Sequence, residues 1–239
     1  MNRNLLPGGR LRAGILTTSP VLAARDPASG DLIGMAADLA RELGARLGMP
    51  VDIIARDTTA GLLDALHTAS SWDVAFFSYD PEHAGVRFTA PYLECEGTCL
   101  VRADSPLRTV DEIDTSGLRI AVSARSSLDL HLSRHVKYAF LNRMPGAVAA
   151  AALFTQGKAD ALAGIRQQLI KVAATVPGSR LLDGRFVVIR HALASPDRRD
   201  AWAAYLREFV EDAKASGLID RLIGKHNVRG LTISAPAPL

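Results

Sequence analysis

Residues 72–102 read WDVAFFSYDPEHAGVRFTAPYLECEGTCLVR, from Trp72 to Arg102. Asp73–Phe77 is a short run dominated by apolar residues and is predicted to be a buried strand. Ser78–Gly85 is polar, with Asp80-Pro81 as a turn opener. Phe88–Tyr92 (FTAPY) follows, then an extended run from Leu93 long enough to carry the chain out of one α/β unit and into another. Cys95 and Cys99 lie on that run; at about 3.3 Å per residue their Cα atoms would be ~13 Å apart, too far for a disulfide. Two free, mostly buried thiols are therefore expected. Glu94 and Glu96 flank Cys95 and so face one side of the strand. Two readings stay open for them: contact with a cationic group, or ordinary surface charge.

Upstream of this stretch, Leu11–Leu16 reads as a strand, and a polar loop with Asp26-Pro27 and Gly30 follows. Met35, Leu39, Leu43 and Leu47 form a helical stripe that Gly48-Met49-Pro50 ends. Val51–Ala55 is a strand and Thr58–Ala69 a helix. Strand, helix, strand, helix, strand implies a parallel sheet covered by helices. After Ser105-Pro106 the alternation restarts. Val110–Ile113 is a helical turn, then Leu118–Ser123 a strand, Ser126–Val136 a helix, Tyr138–Leu141 a strand and Ala147–Gln156 a helix. Ala159–Ala163, Arg166–Ala174 and Arg180–Leu182 continue it as strand, helix and strand. Phe186–Leu193 is again extended. A long helix is predicted next, with Ser195 as N-cap, Pro196 at the first helical position, Asp197 in the first turn and Gly217 as its stop. Trp202, Tyr205, Leu206, Phe209 and Val210 make its apolar face. Leu218–Lys225 is a closing helix, and the Ala-Pro-rich tail is expected to fray.

The predicted class is α/β, as two Rossmann-like lobes joined by a two-strand hinge. Residues 1–95 and 191–239 form the first, discontinuous lobe and 96–190 the second, with crossings near 93–103 and 186–193. The ligand is expected in the cleft between the lobes, with binding by hinge closure.

Composition narrows the function classes. The chain has 239 residues, 48% hydrophobic and 22% charged, as in an ordinary globular protein of one or two domains. The net charge is +3, but no basic block stands out: Arg198-Arg199 sits between Asp197 and Asp200. This argues against nucleic acid and anionic membrane as partners. The apolar runs are too short and too often interrupted by charge for membrane insertion. Residues 1–14, MNRNLLPGGRLRAG, lack the apolar core of a secretory leader, which leaves a removed leader and a cytosolic product as open expectations. No nucleophile elbow, Walker loop, dinucleotide fingerprint or cysteine-rich zinc pattern occurs, so no cofactor and no metal is expected. His131 and His135 have the i,i+4 spacing of a metal-gripping pair without a third ligand beside them.

Several motifs, in order along nearly the whole chain, resemble those of the family 3 extracytoplasmic solute-binding proteins, the polar amino-acid binders of ABC importers. Gly34-Met-Ala-Ala-Asp38-Leu-Ala40 is similar to the family's Gly-Phe-Asp-Val-Asp-Leu-Ala segment. Asp80-Pro81-Glu82-His83 with Phe88–Tyr92 resembles its Thr-Pro-Glu-Arg loop and the Phe-Ser-x-Pro-Tyr motif that follows. Gly157-Lys-Ala-Asp160-Ala161 is similar to its Gly-x-x-Asp-Ala, and Lys214-Ala-Ser-Gly217-Leu218 to the close of its last long helix. The resemblance implies the periplasmic binding protein type II fold, a small-molecule ligand, an ABC permease as partner, a monomer and a periplasmic location.

The ligand positions depart from that pattern. His83, or Glu82 if no gap precedes Phe88, stands where the family's carboxylate-clamping arginine is implied. Ile165 stands where an acid for an α-ammonium is common, and Ser19-Pro20-Val21-Leu22 where a stacking aromatic is common. Candidate ligand-binding residues are Ser19, Ser78, Asp80 and His83 from the first lobe, and Arg125, Ser126, Ser127 and Arg166 from the second. His83 can donate or accept one hydrogen bond and, protonated, meet an anion. Arg125-Ser126-Ser127 opens a helix whose free N–H groups suit a carboxylate or phosphate; Ser126 can equally serve as the cap alone. Arg166 follows a strand at the end where α/β ligands sit, or is a solvated helix-start residue. The expected function is a binding protein for a small polar, carboxylate-bearing metabolite. Two rivals are an enzyme resembling cyclohexadienyl dehydratases, with Glu96 or Glu82 as its acid, and a cytosolic sensor or orphan binding module.

Overall fold

A computed structural model describes residues 5–6, 8–17, 22–26, 29–68, 71–80, 82–228 and 230–237. The chain divides into two compact units, one made of residues 1–94, 190–228 and 232–239, the other of residues 95–189 and 229–231.

In the first unit, β1 (Leu11–Leu16) pairs in parallel with β4 (Val51–Arg56) and β5 (Val74–Ser78). The returning strand β12 (Val187–Pro196) runs antiparallel to β5, and the short β6 (Val86–Phe88) pairs with β12. The loop read from Asp26 and Gly30 contains a small hairpin, β2 (Ala24–Arg25) with β3 (Leu32–Ile33). Helix α1 (Met35–Leu47) buries the stripe Met35, Leu39, Leu43 and Leu47. Its N-cap, Gly34, has φ of 122°, and a Cβ there would come within 2.6 Å of the Leu22 carbonyl oxygen, so only glycine fits. Helix α2 (Thr59–Ala65) is shorter than predicted and is capped by the Thr58 hydroxyl, which accepts from the Gly61 N–H.

Two buried tryptophans anchor this unit, and each satisfies its indole N–H: Trp72 donates to the Leu62 carbonyl at 2.7 Å and Trp202 to the Asp73 carbonyl at 2.6 Å. Asp73, at the head of β5, is itself buried and ties three elements together. It accepts from the Arg12 N–H and guanidinium (2.9–3.0 Å) and from Arg199 Nη1 at 2.6 Å. Burial pushes its pKa up, but these donors outweigh it and hold the carboxyl below its usual range.

The predicted start of the long helix is corrected. Ser195 and Pro196 are the last residues of β12, opposite Arg87 and Val86 of β6, and α6 begins only at Asp200 (Asp200–Ala215) with Arg199 as N-cap. The ladder with β6 claims the backbone that an N-cap at Ser195 would need, and Pro196 takes the terminal strand position that its missing N–H tolerates. The apolar face is as expected at Trp202, Leu206, Phe209 and Val210, which are buried. Helix α7 spans Leu218–Lys225.

The tail also differs from expectation over residues 231–237. Strand β13 (Leu231–Ile233) pairs with β7 (Leu93–Arg102). The buried Lys214 ammonium donates to the Ala235 carbonyl at 2.9 Å and pairs with Glu211 at 2.8 Å. A docked backbone carbonyl and a neutralised lysine give the segment a fixed place that its composition alone does not disclose.

In the second unit, β7 is followed in sheet order by β10 (Ala161–Ile165), β8 (Arg119–Ser123) and β9 (Phe140–Met144). Strand β10 is antiparallel to β7, while β8 is parallel to both β10 and β9. β11 (Ser179–Leu181) also pairs with β7. Helices α3 (Ser127–His135), α4 (Ala147–Thr155) and α5 (Arg166–Thr175) cover the sheet, building one core around Cys95, Cys99, Ile120, Val122, Leu128 and Leu132 and another around Leu100, Phe154, Leu162 and Leu169. Strand β9 lies later than the predicted Tyr138–Leu141, because the backbone N–H groups of Lys137, Tyr138 and Ala139 are taken by the Asp114 carboxylate. Gly97 sits where β7 is crowded: a Cβ would lie 2.5 Å from Val187 and 2.7 Å from Leu128. Cys95 and Cys99 are buried thiols outside any disulfide, as expected, and burial raises the Cys99 thiol to about 12.

Candidate functional site

Each unit offers loops at the carboxyl ends of its parallel strands, where open α/β sheets hold ligands. In the first unit β5 delivers Ser78, half-buried and opposite His191 of β12. The chain then turns on itself. Asp80 Oδ1 accepts from the Glu82 N–H at 3.0 Å, and the Asp80 carbonyl accepts from the His83 N–H at 3.2 Å. The His83 imidazole is thereby held against Phe77 and Phe88, ring centres 5.9 and 6.4 Å away, with Nε2 3.8 Å from Asp80 Oδ2. Asp80 thus organises the turn, and its second carboxylate oxygen lies beside the imidazole. Pro81 and Ser19 lie outside the described residues.

In the second unit β8 ends at Ser123 and α3 begins at Ser127. Ser126 is the N-cap: its hydroxyl accepts from the Asp129 N–H at 3.2 Å and donates to the Ser123 carbonyl at 2.8 Å. Asp129 accepts from the Arg125 N–H at 2.8 Å and is itself buried against Arg143, 2.8 Å away. Arg125 has φ of 57°, a left-handed conformation that favours glycine, and its side chain is exposed. Ser127 is the first helical residue and exposed. Capping and ligand contact are compatible here, because the cap leaves the Arg125 guanidinium without an ion pair among the described residues.

Arg166, directly after β10, is not a free cation. Its Nε donates to Glu96 Oε2 at 2.7 Å and its Nη2 to the Gly184 carbonyl at 2.7 Å. Glu96 Oε1 accepts from Arg185 Nη1 at 2.6 Å. The hydrogen bond from Arg185 is the main force lowering the Glu96 pKa, with Arg166 adding to it against a smaller desolvation effect. The sequence reading weighed Glu96 but missed Arg185. Their link spans 89 residues of chain, and no local pattern signals it. Glu94 is paired in the same way with Arg190, at 3.1 Å.

His191 was also missed. It is almost wholly buried on β12, and burial lowers its pKa to about 4, so the imidazole is neutral. His131 and His135 stack with ring centres 4.0 Å apart, and His131 stacks further on Phe186 at 5.8 Å. Among the described residues no group of three or more His, Cys, Asp or Glu is placed to hold a metal, and no helix is long and apolar enough to cross a membrane. A cavity of about 290 Å³ lies at the opposite, amino end of the first unit's strands, lined by Arg10, Arg12, Arg199, Asp52 and Asp73. There every guanidinium is already paired with a carboxylate.

The profile of the bacterial extracellular solute-binding proteins, family 3, matches residues 11–228. A search of curated proteins found no significant match. Among solved structures, the P235GK mutant of ArgBP from T. maritima is 24% identical, with 92% of this chain and 96% of that chain covered and a TM-score of 0.72. A putative ABC-transporter binding component from Wolinella succinogenes DSM 1740, complexed with lysine, is 21% identical over 91% and 95% of the two chains, with a TM-score of 0.79. The ancestral cationic amino acid solute-binding protein AncCDT-1, described as a precursor of cyclohexadienyl dehydratase, is 21% identical over 93% and 97%, with TM-scores of 0.77 and 0.75 in two structures. At these identities the likeness establishes the fold, the two-lobed type II periplasmic binding protein architecture. The chain belongs to the family 3 bacterial extracellular solute-binding proteins.

Proposed function

We propose that this protein binds a small carboxylate-bearing solute and delivers it to an ABC-type importer. The observation that carries the reading is the Glu96 cluster. Two guanidiniums share one carboxylate, so the carboxyl end of β10 keeps a net positive charge, with Arg166 held rigidly by Glu96 and the Gly184 carbonyl. A fixed guanidinium suits a carboxylate, because its planar fork is already oriented before the ligand arrives. Arg125, in the same unit, adds a guanidinium without an ion pair among the described residues. The solved relatives include proteins described with arginine and lysine; the carboxylate is the part of those solutes that this reading retains. Ile165 brings no charge to an α-ammonium, so that group is not required of the solute.

A thermal-shift panel of amino acids, dicarboxylates, aromatic acids, polyamines and sugars tests this. A ligand at ~100 times its dissociation constant adds about 2.7 kcal/mol to stability. Stabilisation by carboxylates, with the compound recovered unchanged by mass spectrometry, is the expected result; stabilisation by polyamines or sugars alone would sink the reading. Loss of uptake of the same compound on gene deletion tests the importer link, and cell fractionation tests the extracytoplasmic location that the family description supports.

A dehydratase-like enzyme is the second reading, favoured by the fold it shares with AncCDT-1. Glu96, its leading acid, is held ionised by two arginines, the wrong state for a general acid near neutral pH. Turnover of prephenate or arogenate would reverse this judgement.

A further inference from the structure

The strand register of the second unit sets three arginines in one row at the end of its sheet. β10 pairs with β8 as Ala161 beside Ile120 and Leu162 beside Ala121. Carried to the carboxyl ends of these parallel strands, that register sets Arg166 beside Arg125. On the other side of β10, Ile165 lies opposite Gly97 of β7. The next antiparallel pair is therefore Arg166 with Glu96, and their ion pair at 2.7 Å closes it. The Phe186 N–H donates to the Gly97 carbonyl at 3.0 Å, which brings Arg185 onto the second oxygen of Glu96. Across the sheet the row reads Arg125, Arg166, Glu96, Arg185, with three guanidiniums to one carboxylate.

Nearby acids do not restore the balance. Asp129 is buried against Arg143, 2.8 Å away, and accepts the Arg125 backbone N–H rather than its guanidinium. Asp183 bonds Arg108 and Val110 through its backbone and pairs with none of the three arginines. Ile165, which ends β10 next to Arg166, adds no charge. Neighbouring strands lie ~5 Å apart, so Arg125 and Arg166 repel each other with no second carboxylate to offset them. One carboxylate from a solute meets only half of this excess. Two meet it in full, each taken by its own planar fork. An ammonium brought here would add to the repulsion, because Glu96 and Asp129 are already bound to arginine.

We propose that the solute is a short dicarboxylate without an ammonium group, with Arg125 and Arg166 each holding one carboxylate. This rests on the carboxylate reading above and narrows it. It also separates the solute from the arginine and lysine named for the solved relatives.

Titration calorimetry of the full chain with matched compounds tests this. Succinate, glutarate and adipate are compared with butyrate, pentanoate and hexanoate, which lack one carboxylate, and with aspartate and glutamate, which add an ammonium. A dicarboxylate is expected to bind roughly tenfold tighter than the monocarboxylate of its length and than either amino acid. In Arg125→Gln, a substitution at an exposed side chain, the preference for two carboxylates over one should fall by about the same factor. Monocarboxylates or amino acids that bind as tightly as the dicarboxylates would overturn the inference and leave the carboxylate reading standing, as would an undiminished preference in Arg125→Gln. No binding by any carboxylate, or tighter binding of glycerol 3-phosphate than of all of them, would overturn both.

Discussion

The Arg166 guanidinium rests on Glu96 with Nε 2.7 Å from Oε2, and Glu96 meets Arg185 with its other oxygen. One carboxylate therefore orients two cations that are far apart in the chain. Removing either arginine leaves Glu96 still paired, which separates binding from folding. Arg166→Met is expected to weaken the bound carboxylate by tenfold or more, as loss of a charge-assisted hydrogen bond of about 1.5–3 kcal/mol implies. Folding stability should change by less than about 1 kcal/mol, because the pair is partly exposed and screened. Titration calorimetry and urea unfolding of the same variant check both halves.

Arg125 occupies backbone space that glycine prefers, with φ of 57°. Arg125→Gly should relieve strain of about 1 kcal/mol, partly offset by the entropy glycine gains in the unfolded chain. A small net stabilisation with weaker solute binding is expected, measured by denaturant midpoint and calorimetry. A variant that binds as well as the parent would remove Arg125 from the site.

Asp73 is the buried tie between β1, β5 and the start of α6. Asp73→Ala leaves Arg12 and Arg199 without their common partner and should cost about 3 kcal/mol or more. Urea unfolding measures it; a loss below 1 kcal/mol would mean that solvent replaces the carboxylate.

His191 gives a pH signature. Burial depresses its pKa from 6.5 to about 4, so between those values the unfolded chain binds a proton that the folded chain refuses. Stability contributed by the neutral imidazole is complete above pH 6.5 and is lost as the pH falls toward 4, by about 3 kcal/mol in total. Carboxylates with lowered pKa values, such as Asp73 and Glu96, lose their contributions at lower pH, below their ordinary range. His191→Gln should flatten the slope between pH 6.5 and 4 in thermal melts.

Cys99 is buried and its thiol is pushed up to about 12. It should resist iodoacetamide at pH 8 in the folded protein and react on unfolding. Peptide mapping of native and urea-treated samples checks this.

The sequence was most legible where an element's pattern and its packing agree. The stripe Met35, Leu39, Leu43 and Leu47 runs from one end of α1 to the other, and Gly48 stops it. The Ser126 cap was readable for the same reason: a hydroxyl and the N–H it accepts from lie three residues apart. Ser195-Pro196-Asp197 looked like a helix start on equally local grounds, yet β6 is 108 residues away from Ser195 in the chain and takes it as a strand partner.

Local side-chain spacing thus set the order of strands and helices, the family motifs and the free cysteines, since those follow from backbone periodicity and reach. Tertiary structure alone decided which charges pair with which. Arg166, Arg12 and Arg199 look alike as isolated cations in a sequence. Their partners Glu96 and Asp73 lie 70, 61 and 126 residues away, and the ion pairs exist only because folding brings those positions within 3 Å. Coulomb attraction depends on distance in space, which a linear pattern does not encode.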